Sequence, residues 1–225
     1  MTATGSARLI GGHPVLDLVN TVAWRLDPAR TDDRLTGGPA LVGLLESGHV
    51  IDIPQAIELG RQADARPLAA AAAVEQVRQL REALYGLLQP VAVGAPPVSG
   101  AVLAVRAALA QAIGEAEISA DGSLRWVAPV RTLADLPHVV ALSALRLMEL
   151  EDLDRLRQCH DEHCGWLFLD RSKNASRRWC SSADCGNRTR ARRHSERRRG
   201  AGAPAPAAPA APGTTSGPRG AGAAP

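Results

Sequence analysis

The stretch CHDEHCGWLFLDRSKNASRRWCSSADCGNRTRARRHSERRR, residues 159–199, decides how the C-terminal part of the chain folds. It holds all four cysteines of the sequence, as two C-x4-C pairs separated by fifteen residues: Cys159, Cys164, Cys180 and Cys185. Two close pairs of thiolates, each presented by a tight turn, suit a tetrahedral ion. The spacing therefore predicts one structural Zn²⁺ with these four cysteines as ligands.

Other uses of the cysteines are less consistent with the sequence. Two disulfides are an alternative, but the N-terminal MTATGSARLI lacks the basic region and apolar core of a secretory signal. A catalytic zinc needs an open coordination position, which four thiolates do not leave. His160 or His163 could replace one cysteine and reopen that position; we interpret both as solvated loop residues. The string His160-Asp161-Glu162 resembles the H-x-E of zinc deaminases, but their P-C-x-x-C partner is absent.

The residues around the ligands predict a compact finger. Residues 155–158 and the apolar residues 166–169 can form two strands joined by the first cysteine pair. After Cys185 the composition becomes helical, with Asp184 or Asn187 available as a cap. A knuckle, a hairpin and a helix that starts at the second pair predict a small α+β, treble-clef-like zinc finger.

Charge divides the chain into two parts. Residues 155–199 carry thirteen Arg and Lys against five Asp and Glu, a formal +8, whereas residues 1–154 carry twelve against eighteen, a formal −6. The arginines of the last helix point to opposite sides and leave no apolar stripe. Such a helix suits an anionic partner, and nucleic acid is the natural one; a frayed, solvated basic tail is the alternative. The predicted nucleic-acid contacts are Arg177, Arg178, Asn187, Arg188, Arg190, Arg192, Arg193 and Arg197.

These residues carry a family resemblance. The segments 164–166, 168–170 and 177–180, and above all the tetrapeptide Cys185-Gly186-Asn187-Arg188, resemble the CGNR zinc finger, a bacterial C-terminal domain. Upstream, GGHPVLDLVNT at residues 11–21 resembles the opening of the ABATE domain, which accompanies this finger in stress-induced transcription regulators. The resemblance implies a DNA-binding regulator with a zinc-stabilised C-terminal module.

The rest of the chain reads as a mainly helical domain and a tail. We assign residues 1–154 to an ABATE-like, mainly α domain, 155–199 to the finger, and 200–225, almost entirely Gly, Ala and Pro, to a disordered tail. The longest helix should begin at Pro67, where apolar residues recur every three or four positions. One β-hairpin is expected where Ala120-Asp121-Gly122 separates two short strands.

Three polar residues near the N-terminus invite a ligand-binding interpretation: His13, Asp17 and Asn20. No second catalytic partner accompanies them in this segment, so hydrogen-bonded positions at the edge of the core are the simpler interpretation for Asp17 and Asn20. We keep all three as candidates for ligand contacts.

The function that follows is a zinc-dependent, DNA-binding transcriptional regulator whose N-terminal domain senses a small-molecule effector or dimerises. The sequence lacks the phosphate-binding loop, nucleophile-elbow and dinucleotide fingerprints, so we do not expect an enzyme. No apolar run has the length to span a bilayer, so we expect a cytoplasmic protein without a membrane partner. Two alternatives stay open: an RNA-binding module, which needs Trp166 and Trp179 exposed for stacking, and a protein-interaction module with a purely structural zinc.

Overall fold

A computed structural model describes residues 9–119 and 124–201 of the chain, with side chains up to Arg199. The predicted turn Ala120-Asp121-Gly122 and residues 202–225 of the predicted tail lie outside these residues, whereas Gly200 and Ala201, which we assigned to the tail, end the last helix. Of the helices in the described part, none is both long and apolar enough to cross a membrane.

The structure is mainly helical, with three short two-stranded sheets. The helices are α1 Pro14–Val19, α2 Gly38–Ser47, α3 Ile53–Ala65, α4 Pro67–Ala92, α5 Ser99–Gly114, α6 Leu136–Leu150 and α7 Asn187–Ala201. The strands are β1 Val22–Ala23, β2 Asp32–Asp33, β3 Glu117–Ser119, β4 Arg125–Val127, β5 Leu156–Gln158 and β6 Leu167–Leu169. This arrangement confirms a mainly α region followed by a small α+β cysteine-containing segment.

Local signals explain where several helices begin. Asp52 caps α3 by accepting from the backbone of Gln55, whose side chain in turn accepts from the backbone N–H of Asp52. This reciprocal capping box satisfies two backbone donors that the helix leaves free. Pro67 stands at the first turn of α4, where its missing N–H costs no hydrogen bond. The long helix therefore starts where the sequence predicts.

The N-terminal region holds one more strand pair than the sequence indicates. The predicted hairpin is present, with Ile118 opposite Trp126 in the antiparallel pair β3–β4. A second antiparallel pair, β1–β2, lies between α1 and α2, where no strands were predicted from the sequence. Its position is fixed by the buried Arg81 of α4, which donates two hydrogen bonds to the carboxylate of Asp33 at 2.7 and 2.9 Å. The two strands have only two residues each, and the arginine that holds them is 48 residues away from Asp33 in the sequence. Such a pair produces no periodic sequence pattern from which it could be predicted.

One hydrophobic core joins the helices to the hairpin of the cysteine-rich segment. It contains the apolar stripe of α4 and the inward faces of α1, α2 and α6, and it also contains Leu156 of β5 and Leu167 and Leu169 of β6. A second, smaller cluster consists of the four cysteines and Phe168. Successive residues of β6 thus point alternately into two different cores, as expected for a strand that is covered on both faces.

The described chain divides into two compact units. The first runs to Arg190 and includes the helices α1–α6, the three sheets and the cysteine cluster; the second begins at Ala191. Helix α7 is continuous from Asn187 to Ala201.

Candidate metal centre and basic helix

The four cysteines meet at one point of the first unit. Their sulfur atoms all lie within 4.8 Å of one another, and the four residues are buried, with 3–5% of their surface exposed. The Sγ atoms of Cys164 and Cys180 are 3.7 Å apart, and those of Cys180 and Cys185 are 3.5 Å apart. None of the four forms a disulfide bond. The spacing of the cysteines thus predicted their convergence correctly.

Two local structures present the sulfurs. The first pair lies in the loop between β5 and β6, closed by a hydrogen bond from the backbone of Cys159 to Trp166 at 2.8 Å. Gly165 in this loop has φ +72°, a conformation that glycine adopts at little cost. Of the second pair, Cys180 lies just before and Cys185 lies within a π-helical turn, Ser182–Gly186, which is capped by the Ser181 hydroxyl. These are the knuckle and the helix start of a treble-clef-like finger.

The chemistry of the donor set fits a zinc ion. Hydrogen bonds from the neighbouring thiols, Cys164 first, hold the pKa of Cys159 below its usual range, whereas the contact with Cys159 raises the pKa of Cys164 and of Cys180. Because the four sulfurs are so close, they cannot all be thiolates at the same time without a cation between them. A bound Zn²⁺ removes that limit because coordination deprotonates all four thiols. The cluster fits one structural zinc ion with no open position.

A buried carboxylate and an arginine surround the cluster. Asp161, with 1% of its surface exposed, accepts from the backbone of His163 at 3.1 Å and from Nε of Arg188 at 3.0 Å. Arg188 also donates to Sγ of Cys185 at 2.9 Å, and its guanidinium lies 4.3 Å from the ring centroid of Trp24. Such outer contacts orient ligands and tune the metal. Arg188 thus connects a predicted zinc ligand to the N-terminal segment.

The two histidines of the knuckle stand apart from the sulfur cluster. His163 is 3.2 Å from a carboxylate oxygen of Glu162 and 3.7 Å from one of Asp27, and His160 lies 3.4 Å from Nε of Arg178. Among the described residues, the four cysteines are the only cluster of three or more His, Cys, Asp or Glu side chains close enough to share a metal ion. The arrangement leaves no place for a histidine in the coordination sphere.

The three N-terminal candidates all make intramolecular hydrogen bonds. Asn20 is buried, and its side-chain amide donates to the carbonyl of Leu167 at 2.8 Å and accepts from the N–H of the same residue at 2.9 Å. Asp17 accepts from the backbone N–H of Ile10 and Gly11, and burial raises its pKa to about 6. His13 caps α1 by accepting from the N–H of Val15, and burial lowers its pKa to about 4. Ligand binding by these residues stays a prediction.

The predicted nucleic-acid contacts separate into two groups. Five have partners within the chain: Arg177 donates to the backbone carbonyls of Trp179 and Cys180 in the finger and of Ile10 near the N-terminus, Arg178 lies by His160, Asn187 bonds to Ala183, Arg188 to Asp161, and Arg190 to Asn187 and Ser182. The other three lie further along α7. Arg193 and Arg197 are exposed, and Arg192 is 3.8 Å from Glu196 one turn on.

Both finger tryptophans are half-buried. They pack against the cluster of the four cysteines and Phe168, and Nε1 of Trp166 donates to the carbonyl of Val22 at 2.9 Å. An RNA-binding module of the kind considered above needs exposed rings for stacking. Because neither ring is fully exposed, the RNA interpretation is weakened.

Sequence reasoning missed the role of Trp24. Two guanidinium groups contact its ring, with Arg30 at 3.4 Å and Arg188 at 4.3 Å from the centroid. The next two residues extend the contact, because the N–H groups of Arg25 and Leu26 donate to the carbonyls of Cys164 and His163. Trp24 has φ +54°, which is uncommon for a bulky residue. The excess of arginine and tryptophan hints at such stacking, but nothing in the sequence pairs these particular residues.

A buried four-cysteine cluster between a hairpin and a helix start, attached to a helical core, defines a zinc-finger protein with a structural metal site. Comparison with known families agrees: residues 155–198 match the CGNR zinc finger, and residues 12–151 match ABATE, described as "Putative stress-induced transcription regulator". The chain therefore belongs to the ABATE family and carries a CGNR zinc finger. No curated protein matches it. Both families are described in regulatory or zinc-finger terms, so the chain is a zinc-binding regulatory protein.

Proposed function

We propose that this chain is a zinc-dependent, DNA-binding transcriptional regulator whose principal contact surface is the arginine-rich helix α7. The observation that carries the proposal is the position of this helix. It begins two residues after the cysteine Cys185 and carries basic side chains on several sides without an apolar stripe. A helix of this kind repels itself in isolation and is stabilised by an anionic partner.

The start of the helix is attached to the cysteine cluster. The buried hydroxyl of Thr189 donates to the carbonyl of Cys185 at 2.9 Å, and Asn187 donates to the carbonyl of Ala183 at 2.6 Å. Zinc bound by Cys185 would fix the direction in which the first turn leaves the finger. A fixed start lowers the ordering cost of binding a polyanion.

The arginines would then fall into two groups with different roles. Those with partners inside the finger, such as Arg177 and Arg188, stabilise the module and add to its positive field. Arg193 and Arg197 would contact phosphates because their side chains are exposed, and Arg192 lies beside them on the same helix. Each phosphate neutralised releases counterions, so the affinity should fall steeply with salt.

A salt titration with matched variants tests this assignment. The zinc-loaded full chain is titrated with duplex DNA at several salt concentrations, together with the double variant Arg193→Ala/Arg197→Ala. The control is Arg61→Ala/Arg106→Ala, which removes the same charge from exposed positions on α3 and α5. Losing two phosphate contacts should lower the slope of log K against log salt by about 2, whereas the control should keep it. Equal slopes for the two double variants would contradict the assignment.

Zinc removal tests the dependence on metal. A chelator strong enough to compete with four thiolates should abolish DNA binding, and added zinc should restore it, because structural zinc contributes directly to folding. The metal is followed with a colorimetric zinc indicator, and the fold by circular dichroism. Full DNA binding by metal-free protein would count against zinc dependence.

The helical region would supply the regulation, through an effector or a second copy of the chain. The formal net charge is −6 for residues 1–154 and +8 for residues 155–199, which supports separate roles for the two parts. The hydrogen bonds from Arg25 and Leu26 to the knuckle give a direct connection by which a change at the N-terminal side would reach the finger. Analytical ultracentrifugation of the full chain at several concentrations tests whether the chain dimerises. If it is a monomer at every concentration, only regulation by an effector remains of the two proposals.

A further inference from the structure

In the part of α7 from Ala191 onwards, two rows of arginine run along the helix. A strip that consists of other residues apart from Arg198 lies between the two rows. At 100° per residue, Arg197 and Arg199 project about 100° to either side of Arg198. Arg193 extends the first row and Arg192 the second. Every residue from Arg193 to Arg199 is exposed.

The strip between the rows has a composition unlike that of the rows. Ala191, His194 and Ser195 all project within about 60° of Arg198. The hydroxyl of Ser195 donates to the carbonyl of Ala191 at 3.1 Å, which holds it close to the helix. The acidic residue of this segment, Glu196, projects about 160° from Arg198, on the opposite face, where it lies 3.8 Å from Arg192. The strip is therefore narrow, uncharged apart from its distal arginine, and able to make hydrogen bonds.

Two lateral rows and a narrow strip fit a groove with phosphates along both walls. The major groove of B-DNA is about 12 Å wide, close to the diameter of an α-helix with its side chains. A helix lying on one strand needs arginines on one side only, whereas a helix inside the groove needs them on both. The major groove of A-form RNA is too narrow to be read in this way.

We propose that the segment from Ala191 to Arg199 enters the major groove of duplex DNA, with Ala191, His194, Ser195 and Arg198 facing the base edges and the arginine rows on the two phosphate backbones. This inference rests on the proposed function. Ala191 and Arg198 are about 10 Å apart along the axis, so the strip spans roughly three base pairs. Arg198 recognises a guanine through O6 and N7, and the methyl group of Ala191 suits a thymine methyl.

The test begins by selecting duplexes from a randomised pool with the zinc-loaded full chain and measuring affinities for the preferred sequence and its single-base variants. In Arg198→Ala, the preference at one position should fall by about 10- to 100-fold, while the salt slope changes by no more than about 1. In Arg193→Ala/Arg197→Ala, all sequences should weaken together and the preference should persist. Because these side chains are exposed, circular dichroism and zinc content should match those of the wild type.

A modified base gives a second readout. Replacing the selected guanine by 7-deazaguanine removes the N7 acceptor, so it should weaken binding by the wild type but not by Arg198→Ala. Arg198→Ala that weakens every sequence equally, with an unchanged guanine preference, would overturn the inference while DNA binding stands. Tighter binding to double-stranded RNA than to any selected DNA would also overturn it. Absence of DNA binding at low salt would instead refute the proposed function.

Discussion

Asn20 holds the finger hairpin against the helical region, and its replacement should destabilise the whole first unit. Its amide pairs with both backbone groups of Leu167, at 2.8 and 2.9 Å, in a buried site 147 residues away in sequence. In Asn20→Ala both groups of Leu167 lose their partner. Each unpaired buried group costs about 1–3 kcal/mol, so the free energy of unfolding should fall by about 3 kcal/mol. That is a large share of the roughly 5–15 kcal/mol of a typical domain.

Urea unfolding of the zinc-loaded chain, followed by circular dichroism, measures this loss. With a slope near 2 kcal/mol/M for a protein of this size, the midpoint should shift down by about 1.5 M. Asn20→Asp keeps the acceptor but places a carboxylate against the carbonyl of Leu167, so it should be no milder at pH 7. Asn174→Ala, an exposed asparagine of the same finger, is the control and should stay within about 0.5 kcal/mol. Midpoints for both Asn20 variants within about 0.3 M of the wild type would refute the reasoning.

Three further predictions concern the zinc surroundings and the N-terminal carboxyl. Arg188→Gln should weaken zinc retention by about 10- to 100-fold in a chelator competition, because it loses contacts to Asp161 and Cys185; retention equal to that of wild type would show that the arginine is dispensable. Gly165→Ala should cost about 1–2 kcal/mol from its φ of +72° alone, and a thermal shift below about 2 °C would argue against a strained loop. The pKa of Asp17 is raised to about 6 in the folded chain, so its contribution to stability is present below pH 4 and is lost as the pH rises through 6. Asp17→Asn should flatten this pH dependence and gain up to about 2 kcal/mol at pH 7; an unchanged pH profile would exclude Asp17 as its source.

The sequence predicts best where the signal is local. The two C-x4-C pairs predict a four-sulfur cluster because each pair fixes its own turn, and the fold needs only to bring two turns together. The amphipathic stripe of α4 and the capping box at Asp52 likewise depend on residues that are only a few positions apart in the sequence. In all three cases the spacing of residues along the chain is itself the physical cause of the structure.

The contacts that join the finger to the helical region have no such local cause. The bonds of Asn20 to Leu167 and the stacking of Trp24 on Arg188 cross most of the chain. Their residue types were visible, but any of the many arginines could stack on a tryptophan. For the same reason the sequence did not show that β5 and β6, which follow the boundary assigned at residue 154, contribute to the core of the helices. Composition changes at that point, yet the packing continues across it.

The position of the CGNR tetrapeptide bears on where sequence recognition resides. Cys185 belongs to the sulfur cluster, Asn187 bonds to Ala183, and Arg188 holds Asp161 and the sulfur of Cys185. Three of the four residues thus already bond within the site. On the proposed function, discrimination between DNA sequences is therefore assigned to the later turns of α7 rather than to the motif. Exchanging residues in those turns should therefore change the preferred sequence without changing zinc affinity, whereas exchanging Arg188 should do the reverse.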